Sequence, residues 1–186
     1  MSTTSKTRFA ILGMLSIRGP CTGYDIKKEI EASISYFWNE SYGNLYPILR
    51  RLEQESLATC TVQEQTGRPN RNVYTVTAAG RHALRAWLTE DPDPAPVRNE
   101  LLLKLFFGRH LGIDGAILHL MKFQLQESAR LEHLLDIERM VLETSASQPD
   151  FPFSFSTLRM GIIMSRARLE WAAESLERLR QVPKST

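Results

Sequence analysis

Apolar residues recur at helical spacing along the first part of the chain. Phe9, Leu12 and Leu15 share one face of a segment spanning roughly residues 8–17, and Arg18-Gly19-Pro20 stops it. A second segment opens at Thr22, a residue type suited to capping a helix, and runs to about Ser35. Its buried stripe is Ile26, Ile30 and Ile34. A third follows the turn Ser41-Tyr42-Gly43-Asn44. There Leu45, Ile48, Leu49 and Leu52 stand three or four apart, and Pro47 sits in the first turn, where its missing N–H costs little. The period then changes. Residues 57–65 are rich in β-formers and partly alternating, residues 66–71 form a turn, and residues 72–77 form a second short strand. This stretch predicts a hairpin with a basic tip. Thr77 caps a fourth helix that ends near Leu88.

Asp91-Pro92-Asp93-Pro94-Ala95-Pro96 cannot continue a helix or enter a central strand. The expected organisation is therefore an N-terminal domain at 1–90, a proline-rich linker at 91–97 and a second domain at 98–186. The second domain reads as all-helical. Leu101 to Phe107 open it, a long helix covers about 114–143, and Gln148-Pro149-Asp150-Phe151-Pro152 breaks the chain. The last helix, about 156–180, carries Leu158, Ile162, Ser165, Leu169, Ala172, Leu176 and Leu179 at alternating steps of four and three. That is a heptad seam. It could pack on the 114–143 helix of its own chain. A long helix with a two-in-seven stripe more often joins a partner, so Leu158, Ile162, Leu169, Ala172, Leu176 and Leu179 are the expected homodimer contacts.

Composition narrows the function classes. Hydrophobic residues make up 42% and charged residues 24%, which suits a globular protein and argues against disorder. No apolar run reaches the roughly 18–20 residues of a membrane span, and the first apolar stretch reads as an amphipathic helix rather than a leader. Cys21 and Cys60 form no CxxC or zinc pattern, so a cytoplasmic protein with free thiols is expected. His82, His110, His119 and His133 show no ligand spacing, and no catalytic triad motif or phosphate loop is present. The expectation is no metal, no cofactor and no enzyme. The net charge of +2 hardly announces nucleic acid, although residues 1–90 hold 11 Lys and Arg against 8 Asp and Glu.

Order and chemistry say more than charge. Three short helices and then a hairpin is the order of a winged helix-turn-helix. The third helix has one face for its own core and one polar face, as a helix entering the major groove requires. Tyr46, Arg50 and Glu53 occupy that polar face, flanked by Asn44, Pro47, Arg51 and Gln54. Arginine can pair with guanine or grip phosphate, and a tyrosine hydroxyl can bond phosphate. Arg68 and Arg71 stand at the hairpin tip, where they can follow the backbone or the minor groove. The fold class is therefore mostly α (α+β): an N-terminal winged helix-turn-helix with a two-stranded wing, followed by an all-α dimerisation domain.

Two stretches, Tyr42-Gly-Asn-Leu-Tyr-Pro-Ile-Leu-Arg-Arg-Leu-Glu-Gln-Glu-Ser-Leu57 and Gly67-Arg-Pro-Asn-Arg-Asn-Val-Tyr-Thr-Val-Thr-Ala-Ala-Gly-Arg81, resemble the signature of the PadR family of bacterial transcriptional regulators. Ile11-Leu12-Gly13 and Thr22-Gly23-Tyr24-Asp25-Ile26 match its first two helices. Asn99 to Phe107, Leu158-Arg-Met-Gly161 and Glu170-Trp171 resemble the virulence-activator-type helical domain of one subfamily. The resemblance implies a homodimer, usually a repressor, on a near-palindromic double-stranded operator. It implies DNA contacts from Tyr42, Asn44, Tyr46, Arg50, Arg51, Arg68 and Arg71, with third helices entering successive major grooves roughly 34 Å apart. It also implies a small, often aromatic or phenolic, effector. Phe106, Phe107, Met160, Met164 and Trp171 are candidates to line its pocket between the domains. Rival readings are an activator on the same scaffold and a protein–protein adaptor. One departure is Ser56, where the family usually carries glycine after the recognition helix.

Overall fold

The computed structural model describes residues 3–38, 45–64, 67, 70–94 and 98–182. The chain divides into two compact units, Met1–Pro94 and Ala95–Thr186. Of the linker expected at 91–97, residues 95–97 lie outside the described residues. Among the described residues no helix is long and apolar enough to cross a membrane.

The first unit runs α1 (Thr3–Arg18), β1 (Cys21–Thr22), α2 (Gly23–Ser33), α3 (Leu45–Gln54), β2 (Ala58–Gln63), β3 (Arg71–Val76) and α4 (Ala78–Leu88). Helix α1 starts well before Phe9, the first residue of the apolar stripe, because its polar first turn carries no periodic signal. Ile11, Leu12 and Leu15 from α1, Ile26 from α2, and Leu49 and Leu52 from α3 are essentially inaccessible and form the centre of the core. Each such side chain contributes about 1.5–3 kcal/mol by leaving water. Helix α2 begins with a reciprocal cap. Thr22 Oγ1 accepts from Asp25 N at 3.2 Å, and Thr22 N donates to Asp25 Oδ2 at 2.9 Å. The sheet is antiparallel in the order β1-β3-β2. The hairpin pairs Ala58 with Val76 through to Gln63 with Arg71, and the two-residue β1 adds a third strand that no periodicity could announce.

The end of α3 is closed tightly. Ser56 is the only non-glycine residue with positive φ among the described residues, at 57°. Leu57 N donates to Leu52 O at 2.8 Å and Ser56 N to Glu53 O at 2.9 Å, the paired bonds of a Schellman ending. Thr77 then ties α4 to this corner, donating from Oγ1 to Ser56 O at 2.8 Å and from N to Leu57 O at 3.0 Å. A Cβ on Gly80 would stand 2.1 Å from Leu57 O, so only glycine lets α4 sit this close. Phe9 of α1 stacks on Trp87 of α4, ring centroids 4.7 Å apart.

The second unit runs α5 (Glu100–Phe106), a 3-10 turn (Gly108–His110), α6 (Ile113–Thr144) and α7 (Phe151–Arg180). Two differences from the sequence expectation stand out. Helix α7 begins at Phe151 instead of about 156, since Pro152 falls in its first turn and needs no donor there. The larger difference concerns the seam. Leu158, Ile162, Ala172 and Leu176 are at most 4% exposed, and Leu169 and Leu179 are half-buried, all within this one chain. Leu158, Ile162, Ala172 and Leu176 are thus covered within this chain, as the intrachain alternative had it, while Leu169 and Leu179 keep part of their surface. Ser165 Oγ donates to Glu127 Oε1 at 2.6 Å and Arg159 pairs with Glu138 at 2.7 Å. Partner numbers rise on α7 as they fall from Glu138 to Glu127 on α6, so the two helices are antiparallel.

Candidate nucleic-acid interface

Leu45, Ile48, Leu49 and Leu52 of α3 are buried, which turns Tyr46, Arg50 and Arg51 outward. The two arginines are not equivalent. Arg51 Nε donates to Glu55 Oε1 at 2.9 Å, and Arg8 of α1 holds the other oxygen of the same carboxylate. Burial works against ionising Glu55, but the hydrogen bond from Arg51 and the charge of Arg8 outweigh it and hold its carboxyl below 4.5. Arg50 is exposed and makes no hydrogen bond or ion pair among the described residues. Among the described residues, its guanidinium is the one on α3 that commits no donor.

Tyr46 is 52% exposed and stands over the start of α2. A Cβ on Gly23 would lie 2.8 Å from Tyr46 Cε1 and 3.3 Å from Cζ, so the missing side chain of Gly23 makes the seat of the ring. Tyr24, the next residue, is 65% exposed on the same first turn. Nothing in the apolar spacing singles out Tyr24 for the interface; its exposure next to Gly23, the seat of the Tyr46 ring, does.

Arg71 opens β3 at the root of the wing and is exposed. It faces the α2 cap: the carboxyl of Asp25 is held below 3.8, first by the hydrogen bond from the Thr22 side chain, then by the Thr22 backbone, with the charges of Arg71 and Arg18 adding to this. Behind them Tyr74 of β3 is paired with Cys21 on one side and Cys60 on the other. Desolvation first, then Cys60, pushes its hydroxyl up to about 12, so it is a neutral core group. Tyr42, Asn44 and Arg68, also expected at the interface, lie outside the described residues.

In the helical unit a cavity of about 830 Å³ lies among α5, the 3-10 turn, the start of α6 and the end of α7. Trp171 lines it. Phe107, Met160 and Met164 do not; they are 55%, 59% and 38% exposed, and Phe106 is 82% exposed. No cluster of His, Cys, Asp or Glu able to hold a metal is present among the described residues.

A buried three-helix core, a polar outward face on the third helix and a hairpin directly after it define a winged helix-turn-helix protein of the DNA-binding class. Residues 11–86 match the transcriptional regulator PadR-like family and residues 97–180 match the family described as virulence activator alpha C-term. The negative transcriptional regulator PadR of Bacillus subtilis is 31% identical over 163 residues, covering 86% of each chain. This chain belongs to the PadR-like family of transcriptional regulators. The crystal structure of Bacillus subtilis PadR in complex with operator DNA superimposes with a TM-score of 0.82 at 27% identity, covering 93% of this chain and 98% of that one. The Vibrio cholerae virulence activator AphA does so at 0.75 and 30% identity, covering 93% and 97%. Bacillus subtilis PadR in complex with p-coumaric acid shares the fold, with a TM-score of 0.76 at 24% identity and coverage of 98% and 99%.

Proposed function

We propose that this chain binds operator DNA sequence-specifically as a homodimer and regulates transcription from it, as a repressor in the cytoplasm and with no catalytic activity of its own. The observation that carries this is the outward face of α3, where Arg50, without a hydrogen bond or ion pair among the described residues, stands one turn from Tyr46 in a chain 31% identical to a negative regulator. Arg50 reads a base edge or grips phosphate, and Tyr46 bonds phosphate, with the exposed Tyr24 as a further candidate. Arg51 is a weaker contact, because Glu55 competes for it. Arg68 and Arg71 place the wing on the backbone or in the minor groove, and Tyr42 and Asn44 flank the recognition helix.

Since the α7 stripe is used within the chain, the second copy meets apolar residues that remain uncovered. Leu102, Leu103 and Phe106 of α5, 46%, 59% and 82% exposed, are the first candidates. A small effector modulates DNA affinity. Footprinting of the region upstream of the chain's own gene tests the reading, with a protected near-palindrome expected. Uniform or absent protection would favour the adaptor alternative. Activation is the second reading, favoured by the 30% identity to AphA. A reporter carrying the footprinted site separates the two: expression rises on removal of the protein if it represses and falls if it activates.

A further inference from the structure

Three charged side chains meet where α3 ends, and they are not equally free. Two guanidiniums share the carboxylate of Glu55: Arg8 of α1 on Oε2 and Arg51 of α3 on Oε1. Arg8 is set in the fold. Its side chain is 25% exposed, its guanidinium lies 5.5 Å from the centre of the Phe9 ring, and that ring stacks on Trp87 of α4. Arg51 is set only by Glu55. Its side chain is 74% exposed, and its Nε donates at 2.9 Å. An ordinary pair one helical turn apart contributes little, because both side chains can swing away. Here Arg8 keeps the carboxylate in place, so Arg51 cannot carry its partner along. To reach a phosphate, Arg51 must leave Glu55, and Glu55 stays behind as a negative charge beside the DNA-reading face.

Duplexes of different sequence feel this differently. Binding to DNA of the wrong sequence rests on cations meeting phosphates, and the helix can shift until each cation finds one. Base contacts such as those of Arg50 allow no such shift, so on an operator a freed Arg51 has only the phosphate that happens to lie within reach. One cation withheld and one anion left standing therefore weaken wrong-sequence binding more than operator binding. A genome offers about 10⁶–10⁹ competing sites, so affinity lost on them raises occupancy of the operator. We propose that Glu55 is an electrostatic gate: held by Arg8, it withholds Arg51 from DNA phosphates and so sharpens sequence discrimination. The gate deepens the operator-binding reading above and rests on it.

The test is fluorescence anisotropy of the full chain on the footprinted site and on a scrambled duplex, at several salt concentrations. Glu55→Gln keeps the side-chain length and an acceptor oxygen for Arg8 and removes the charge; urea unfolding checks that it folds. It should bind the scrambled duplex about 3- to 10-fold more tightly than wild type, with a salt slope steeper by about 0.9 for one added phosphate contact. On the site it should gain less, so its preference for the site falls. Arg51→Gln placed on Glu55→Gln should return affinity and slope toward wild type, and should cost less when placed on the wild type. If Glu55→Gln proves unstable, Arg51→Gln alone decides. A slope lowered by less than about 0.45, half a contact, supports the gate, and a larger drop shows Arg51 already on a phosphate and overturns it. A stable Glu55→Gln protein that binds the scrambled duplex as wild type does, or that gains equally on both duplexes, overturns the gate while the operator reading stands. Wild type that binds both duplexes alike removes the operator reading, and the gate with it.

Discussion

Ser56 holds a backbone angle that glycine would hold at lower cost. Its φ of 57° is the left-handed conformation, and the Schellman bonds around it leave the chain no alternative. Ser56→Gly should therefore stabilise the winged-helix unit by about 0.5–1 kcal/mol in urea unfolding, net of the backbone entropy that glycine adds to the unfolded chain. An unchanged or lowered midpoint would mean that the serine side chain contributes something the hydrogen bonds do not reveal. Gly23 is a different case, because its role is to leave room. Gly23→Ala would push on the Tyr46 ring, which is partly exposed and can swing away, so operator affinity should fall with little loss of folding stability. In a Tyr46→Ala background that loss should vanish, giving a coupling of about 0.5–3 kcal/mol in a double-mutant cycle. Equal losses in both backgrounds would separate Gly23 from Tyr46. The outward place of Tyr46, Arg50 and Arg51 was legible from the Leu45–Ile48–Leu49–Leu52 spacing alone. That Glu55 holds Arg51 while Arg50 stays free was not, because the second partner of Glu55 comes from Arg8, distant in sequence.

At the level of elements, the α2 cap links stability to pH. The carboxyls of Asp25 and Glu55 are held below 3.8 and 4.5, so their contribution is present above those values. It is lost as pH falls through the lower folded-state values. The winged-helix unit should lose stability on acidification in that window, and Asp25→Asn should flatten the acid limb of a thermal melting profile. An identical acid limb in the variant would contradict this. Between α6 and α7 a buried carboxylate depends on one hydroxyl. Ser165→Ala removes the 2.6 Å bond to Glu127, which is 6% exposed, and leaves Arg168 at 3.6 Å as its nearby charge. The cost should be about 1–3 kcal/mol in unfolding of the helical unit. A loss under about 0.3 kcal/mol would mean that water or Arg168 replaces the bond. These two helices show why pattern reading stops short. The alternation by four and three located the buried face of α7 correctly, but a stripe records only that a face is covered. It carries no information on whether α6 of the same chain or a second copy covers it. Strand β1 was beyond reading for a simpler reason, since two residues show no period.

For the whole molecule, the net charge of +2 understates the functional surface, because cations on the winged-helix unit are partly neutralised in pairs such as Arg18 with Glu29 and Arg8 with Glu55. What matters for DNA is the small set left unpaired or near the wing. The apolar cavity of the helical unit was not legible either, since its wall draws on α5, α6 and α7 at once. The central claim is that the α3 face reads DNA, and fluorescence anisotropy of the full chain on its footprinted site and on a scrambled duplex tests it most directly. Wild type should prefer the site by about 10³-fold or more, and Arg50→Ala should lose about 1–3 kcal/mol on the site and less on the scrambled duplex. Equal affinity for the two duplexes, or an Arg50→Ala protein that binds the site as wild type does, would contradict it.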